Sequence, residues 1–150
     1  MIKKILENKK LILLIGGVII IIVLTIVIAL IIAKSNNKNK IGYEDIESIV
    51  NNKQDVLIFY YNSKSDNKYN IKVREYLTKE RIKYFEYNDA IVSDNEYNKF
   101  TTLLGIDKSL FKPPALIYIK KGKMNGNIIN IDSIQVVQNF VKNYDLYTLR

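Results

Sequence analysis

From Leu11 to Ala33 the chain carries 23 residues without a charge, mostly Ile, Leu and Val, broken only by Gly16, Gly17 and Thr25. A helix of that length reaches roughly 34 Å at about 1.5 Å per residue, enough for the roughly 30 Å hydrocarbon core of a bilayer. Residues 11–33 are therefore expected to form one transmembrane helix, since backbone amides in lipid must be satisfied within their own segment. A buried core helix would need a larger protein around it. A cleaved leader is the competing reading, favoured by Lys3, Lys4, Lys9 and Lys10. The run is longer than the 7–15 residues typical of such leaders, and Ile31 and Ala33 make a poor cleavage site. Residues 1–10 then form a basic cytoplasmic segment, and residues 34–42 a polar linker. The lysines before the span outweigh those after it by a small margin, which predicts an inside amino terminus and an extracytoplasmic carboxy-terminal domain.

Beyond the linker the pattern changes to alternating short elements. Tyr43, Ile46, Ile49 and Val50 fall at helical spacing behind Glu44, Asp45 and Glu47, acids that suit a helix start better than a metal site. Val56–Tyr61 is a continuous apolar and aromatic run, the pattern of a strand covered on both faces and hence central. Turn formers over 62–67 end it, and a second helix is predicted from about Asn67, with Tyr69, Val73, Tyr76 and Leu77 on its apolar face. Residues 82–87 read as another strand. Ser93 and Glu96 form a capping box for a third helix closed by Gly105. Residues 115–119 read as a strand, with Gly122 and Asn125-Gly126 as turn signals and 128–131 as the hairpin partner. Asp132 or Ser133 is expected to cap a last helix carrying Ile134, Val137, Val141 and Tyr144.

Composition removes most enzyme chemistry. Cysteine and histidine are both absent from the 150 residues, which leaves no disulfide, thiolate nucleophile, imidazole base or Cys/His zinc site. The net charge of +8 divides unevenly: residues 1–40 hold seven Lys and one Glu, so that residues 41–150 carry only +2. The excess flanks the apolar run, where headgroups and topology account for it, and no nucleic-acid partner is expected. Ile, Lys, Asn and Tyr supply 74 of the residues and Lys outnumbers Arg 20 to 3, a bias of AT-rich codons that points to a low-GC bacterium.

The element order over residues 43–147 resembles the thioredoxin-like family: strand, helix, strand, connecting helix, then strand, strand, helix. Val56–Tyr61 with its turn and helix is similar to the strand that leads into that family's active-site loop. Pro113-Pro114-Ala115-Leu116-Ile117-Tyr118-Ile119-Lys120-Lys121-Gly122 is similar to its proline followed by an apolar strand and hairpin. The resemblance implies an α/β fold over 43–150, a mixed sheet flanked by helices, with the family's first strand absent or too short to see and Pro114 at the cis-proline position.

Where redox-active relatives carry Cys-x-x-Cys, this chain has Lys64-Ser65-Asp66-Asn67, or Ser65-Asp66-Asn67-Lys68 with a loop one residue longer. Thiol-disulfide exchange needs a thiolate, so that activity is excluded for the chain alone and no enzyme is expected. What the resemblance leaves is a binding surface for a polypeptide, with the backbone of Ala115 pairing with an extended segment and Tyr60, Tyr61, Ser63, Lys64, Ser65, Asp66 and Pro113 lining the groove. A non-catalytic subunit of a membrane thiol-disulfide or export complex, or a purely structural membrane component, are the alternatives. Ser63-Lys64-Ser65 lacks any sign of an oxyanion hole, and Lys120–Lys123 reads as a solvated hairpin tip. No metal, cofactor or small-molecule substrate is expected.

Overall fold

The computed structural model describes Val23, residues 39–65 and residues 67–149. The predicted basic segment, nearly all of the predicted span and most of the linker lie outside the described residues. Among those described, no helix is long and apolar enough to cross a membrane. The chain divides into two compact units, and the second, Asn39–Arg150, holds all the strands found among the described residues.

Six consecutive apolar side chains on an extended backbone alternate between two faces, so both faces must be covered. That is how β1 (Val56–Tyr61) is placed. It is buried throughout and lies inside a four-stranded sheet of order β2-β1-β3-β4. β2 (Phe85–Asn88) runs parallel to it on one side, and β3 (Ala115–Lys120) antiparallel on the other. β4 (Lys123–Ile128) pairs antiparallel with β3 at the edge.

Four helices fill the two faces. Leu57, Phe59 and Tyr61 pack against Val73 and Leu77 of α2 (Lys68–Lys79) and Val137, Phe140 and Val141 of α4 (Ile134–Asn143). Val56, Ile58 and Tyr60 pack against Ile46 and Ile49 of α1 (Tyr43–Asn51) and Phe100 and Leu104 of α3 (Asp94–Leu104). The parallel β1–α2–β2 unit followed by an antiparallel hairpin and closing helix is the mixed sheet flanked by helices that the sequence resemblance implies. Its expected missing first strand survives as one rung: Lys40 bridges Glu86 in parallel, with Glu86 N donating to Asn39 O at 2.6 Å and Ile41 N to Glu86 O at 3.0 Å. The end of the predicted linker is thus tied to the outer edge of β2.

The caps follow the sequence closely. Asn67 accepts from Tyr69 N at the start of α2, Ser133 from Val136 N at the start of α4, and Gly105 closes α3 in the left-handed region at φ 64°. Ser93 Oγ accepts from Glu96 N at 3.3 Å while Glu96 Oε2 accepts from Ser93 N at 3.1 Å. Ser93 Oγ also donates to Glu96 Oε2 at 2.9 Å, and the bonds from Ser93 N and Oγ together hold the exposed Glu96 carboxyl below its ordinary range. A depressed carboxylate contributes stability above the unfolded-state value of about 4.3 and loses it as pH falls through the folded value. Ser93→Ala is therefore expected to cost about 1 kcal/mol at neutral pH. The gap between the two proteins should narrow in unfolding titrations taken down through pH 4.

Two boundaries differ from the sequence pattern. The strand expected over 82–87 begins only at Phe85: Arg81 turns with φ 57°, and Ile82 N bonds back to Leu77 O at 2.9 Å. Ile82 and Tyr84 are buried without joining the ladder. The hairpin turn is Lys121-Gly122, both at positive φ, and β4 is 123–128 rather than 128–131. Asn125-Gly126 lies inside that strand, where the Tyr144 ring covers Gly126 so closely that a Cβ there would meet its Cζ at 2.3 Å.

Candidate functional site

The carboxy-terminal ends of parallel strands in an open α/β sheet are where ligands gather, because the connecting loops open there. Here that upper end carries the loop after β1, the short 3-10 turn Asp89–Ile91 after β2, and the segment entering β3. The register places Ala115 opposite Tyr60. Continued by one step it brings Pro114 level with Tyr61, beside the turn that begins at Asn62. The Pro113–Pro114 bond is cis.

The loop is held by amides. Asn62 Oδ1 accepts from Lys64 N at 2.9 Å and its carbonyl from Ser65 N at 3.2 Å, a side-chain-supported turn. Asn88 Oδ1 accepts from Ser63 N at 3.0 Å, and Asn88 Nδ2 donates to Ser63 Oγ at 2.9 Å. Asp89 takes the Tyr60 hydroxyl on one carboxylate oxygen and Asn62 Nδ2, at 3.1 Å, on the other. Asn70, buried in the first turn of α2, donates to Asn62 O at 3.2 Å. Ser63 Oγ accepts from an amide and has no base bonded to it among the described residues, so the Ser-Lys-Ser run is not assembled as a nucleophile.

Burial, then the hydrogen bond and charge of Asp89, push the Tyr60 phenol far above its ordinary value and keep it a donor. Tyr87, with its hydroxyl buried, is pushed up to about 12, first by burial and then by the charges of Glu96 and Asp89. On the other face of the sheet Arg74 Nε donates to Glu86 Oε1 at 2.7 Å and Nη2 to Oε2 at 3.3 Å, with the guanidinium 4.2 Å from the Tyr61 ring centre. Burial alone would lower Arg74; the hydrogen bond and charge of Glu86 outweigh it and raise it.

The structure gathers Tyr61, Ser63 and Ser65 with Asn67, Asn70 and Arg74 around an open groove of about 550 Å³. Asp66 lies outside the described residues. Four expected members, Tyr60, Lys64, Pro113 and Ala115, do not line this groove. Tyr60 is 1% exposed, its ring packed on Tyr87, Phe100 and Phe111. Ala115 is fully buried in an interior strand, and the neighbouring acceptors are already used: Pro114 O takes Ile131 N at 2.9 Å and Lys112 O takes Asn130 N at 3.0 Å. Pro113 has no N–H to offer. Where an extended peptide is expected to pair with Ala115, the structure places Tyr60 of β1 against Ala115 and the segment 130–131 against the neighbouring carbonyls.

Sequence reasoning missed Asn62, Asn70, Asn88 and Asp89 as a set, and it missed the apolar side chains left exposed at this end, Ile91 and Leu110 above all. Arg74 did carry a signal, as one of three arginines among 23 cationic residues.

No family model matches the chain, and no curated protein does. Among solved structures it is similar to thioredoxin O2 from Arabidopsis thaliana in its oxidized state, at 12% identity and TM-score 0.49, over 71% of this chain and 95% of that one. It is similar to thioredoxin O1 from the same plant at 14% identity and TM-score 0.48, over 69% and 94%. Desulfothioredoxin from Desulfovibrio vulgaris Hildenborough in its reduced form is similar at 16% identity and TM-score 0.45, over 71% and 92%.

Proposed function

We propose that the chain is a membrane-anchored, thioredoxin-like module without redox activity that binds a polypeptide partner outside the cytoplasm through the upper end of its sheet. The observation that carries this is where its exposed apolar side chains fall. Among the described residues of the domain these are Ile71, Ile91, Leu110, Ile129 and Val136. Ile71 and Val136 lie in the first turns of α2 and α4, Ile91 follows β2, Leu110 precedes Pro113, and Ile129 follows β4. All five positions are at the end that holds the Asn62 turn and the two prolines. Single exposed apolar residues are ordinary on any surface, but their confinement to one end of a small domain is the pattern of an interaction site.

The missing cysteines support a role in binding without exchange chemistry. The apolar run 11–33 supports anchoring, and the lysine bias supports an extracytoplasmic domain. With the Ala115 backbone enclosed, the contact is made by side chains around the loops rather than by strand addition.

A photo-crosslinking residue in place of Leu110, introduced into the full chain in cells, is expected to yield a discrete polypeptide adduct. The same residue at Asn139, exposed on the outer side of α4, is expected to yield none. Equal adducts from both positions, or none from 110, would contradict the proposal.

A further inference from the structure

The nearly neutral charge of the folded domain conceals a separation that only the fold reveals. At the end opposite Asn62, α1 gives way to Lys53, and α2 finishes at Lys79 with Arg81 and Lys83 behind it. The β3–β4 hairpin brings Lys120, Lys121 and Lys123 to the same end, docked there by Lys121 N on Asp55 Oδ1 at 2.6 Å and Gly122 N on Gln54 O at 3.2 Å. Lys142 in the last turn of α4 completes the group. All eight cations are exposed, and none forms an ion pair among the described residues. Among the described residues the acids at this end are Asp55, Glu80 and Asp145. The described residues of the lower end therefore carry +5, while residues 41–150 as a whole carry +2.

The chain enters the domain from this same end. Residues 39–41 run parallel to β2 and pair level with Glu86, its second residue, so the backbone rises from below the sheet. The segment immediately preceding them in sequence is the one that carries the 23-residue apolar run.

We infer that this lower face docks on anionic lipid headgroups, which turns the opposite end, with the Asn62 turn and Pro113–Pro114, away from the bilayer. The inference rests on the membrane-anchored reading. Clustered lysines beside a bilayer gain attraction from the negative surface potential within about one Debye length, roughly 10 Å at 0.1 M salt. Only five residues, 34–38, separate the apolar run from residue 39, a reach of at most about 17 Å when extended, so the face is held within about two Debye lengths of the bilayer. The sequence shows Lys120–Lys123 as an isolated hairpin tip; the fold gives it five cationic neighbours from three other elements.

The chain contains no cysteine, so single-cysteine labelling is unambiguous. The full chain, with a fluorophore on Lys121→Cys or on Lys112→Cys at the upper end, is reconstituted into nanodiscs of phosphatidylcholine alone or mixed with phosphatidylglycerol. A quencher is carried on the headgroups. Quenching is expected at 121 in the anionic discs only, with loss on added salt, and not at 112. Each lysine or arginine changed to glutamine should lower the docked-to-free ratio about fivefold. The quadruple variant of Lys53, Arg81, Lys83 and Lys123 should lose the signal. Equal quenching in neutral discs, or none at 121 in discs that hold the chain, would overturn the inference while leaving the anchor intact. A chain that does not co-elute with either disc would overturn the anchored reading and this inference with it. Salt-sensitive retention on duplex DNA without quenching at 121 would assign the face to nucleic acid instead.

Discussion

Phe100→Ala is expected to lower the unfolding free energy by about 3–5 kcal/mol, the range for deleting a buried aromatic ring whose surroundings cannot close over the gap. Phe100 is fully buried, and its ring centre lies 4.9 Å from that of Tyr87, 5.5 Å from Tyr60 and 6.0 Å from Phe111. None of these neighbours is free to move in. Tyr60 is fixed by its hydroxyl on Asp89 and by its place in an interior strand, Tyr87 belongs to β2, and Phe111 is held where Tyr97 Oη donates to its carbonyl at 3.3 Å. The void would open directly beneath the upper end of the sheet. Urea unfolding of the full chain in detergent checks the value; a loss below about 1.5 kcal/mol would mean that the aromatic layer repacks.

Gly122→Ala should cost about 2–4 kcal/mol although it adds one methyl group. At φ 73° the alanine is strained by about 1–2 kcal/mol. Its Cβ would also lie 2.2 Å from Val50 O and 3.1 Å from Lys53 Cα. Those are backbone atoms at the end of α1, so no rotamer change relieves the contact, and the hairpin must lift away. Lifting it breaks the bonds of Lys121 N to Asp55 and Gly122 N to Gln54, at roughly 1 kcal/mol each. Gly105→Ala separates the two causes. Gly105 sits at φ 64° with open space around the added Cβ, so only the conformational strain should register there. Equal effects at 105 and 122 would remove the steric part of the explanation.

Much of the fold is legible in the chain because its decisive signals are local. Val56–Tyr61 can satisfy its six apolar side chains only as a covered strand. The Ser93–Glu96 box and Gly105 bracket α3 by hydrogen bonds and backbone conformation reaching no further than a turn. The failures occur where distant residues decide. Ile82 and Tyr84 look like strand residues because they are apolar, yet Lys83 N is taken by Leu149 O at 2.7 Å, a partner at the far end of the chain. Gly126 looks like a turn glycine, yet it is a strand glycine beneath Tyr144. Apolarity reports burial, and only the ladder reports pairing.

The candidate site was less legible for the same reason. The loop and the two prolines could be read, since a break after a buried strand and a Pro-Pro lead-in are sequence features. The polar network behind the loop joins Asn62 and Ser63 to Asn88 and Asp89, partners 25 to 27 residues apart. In a chain so rich in asparagine no single Asn stands out. Ala115 shows the opposite error: the pattern identified its strand correctly, but a strand pattern does not say whether its edges are taken.

The central claim is that the upper end of the sheet holds a polypeptide by side-chain contact. It is tested most directly by placing a photo-crosslinker at Lys64 and comparing the full chain with and without Ile91→Asp and Leu110→Asp. Both residues are well exposed, so the pair should leave the thermal midpoint nearly unchanged. The partner adduct is expected to fall at least about tenfold in the doubly substituted chain, as for loss of an apolar anchor. An adduct retained at full yield in the doubly substituted chain would contradict it.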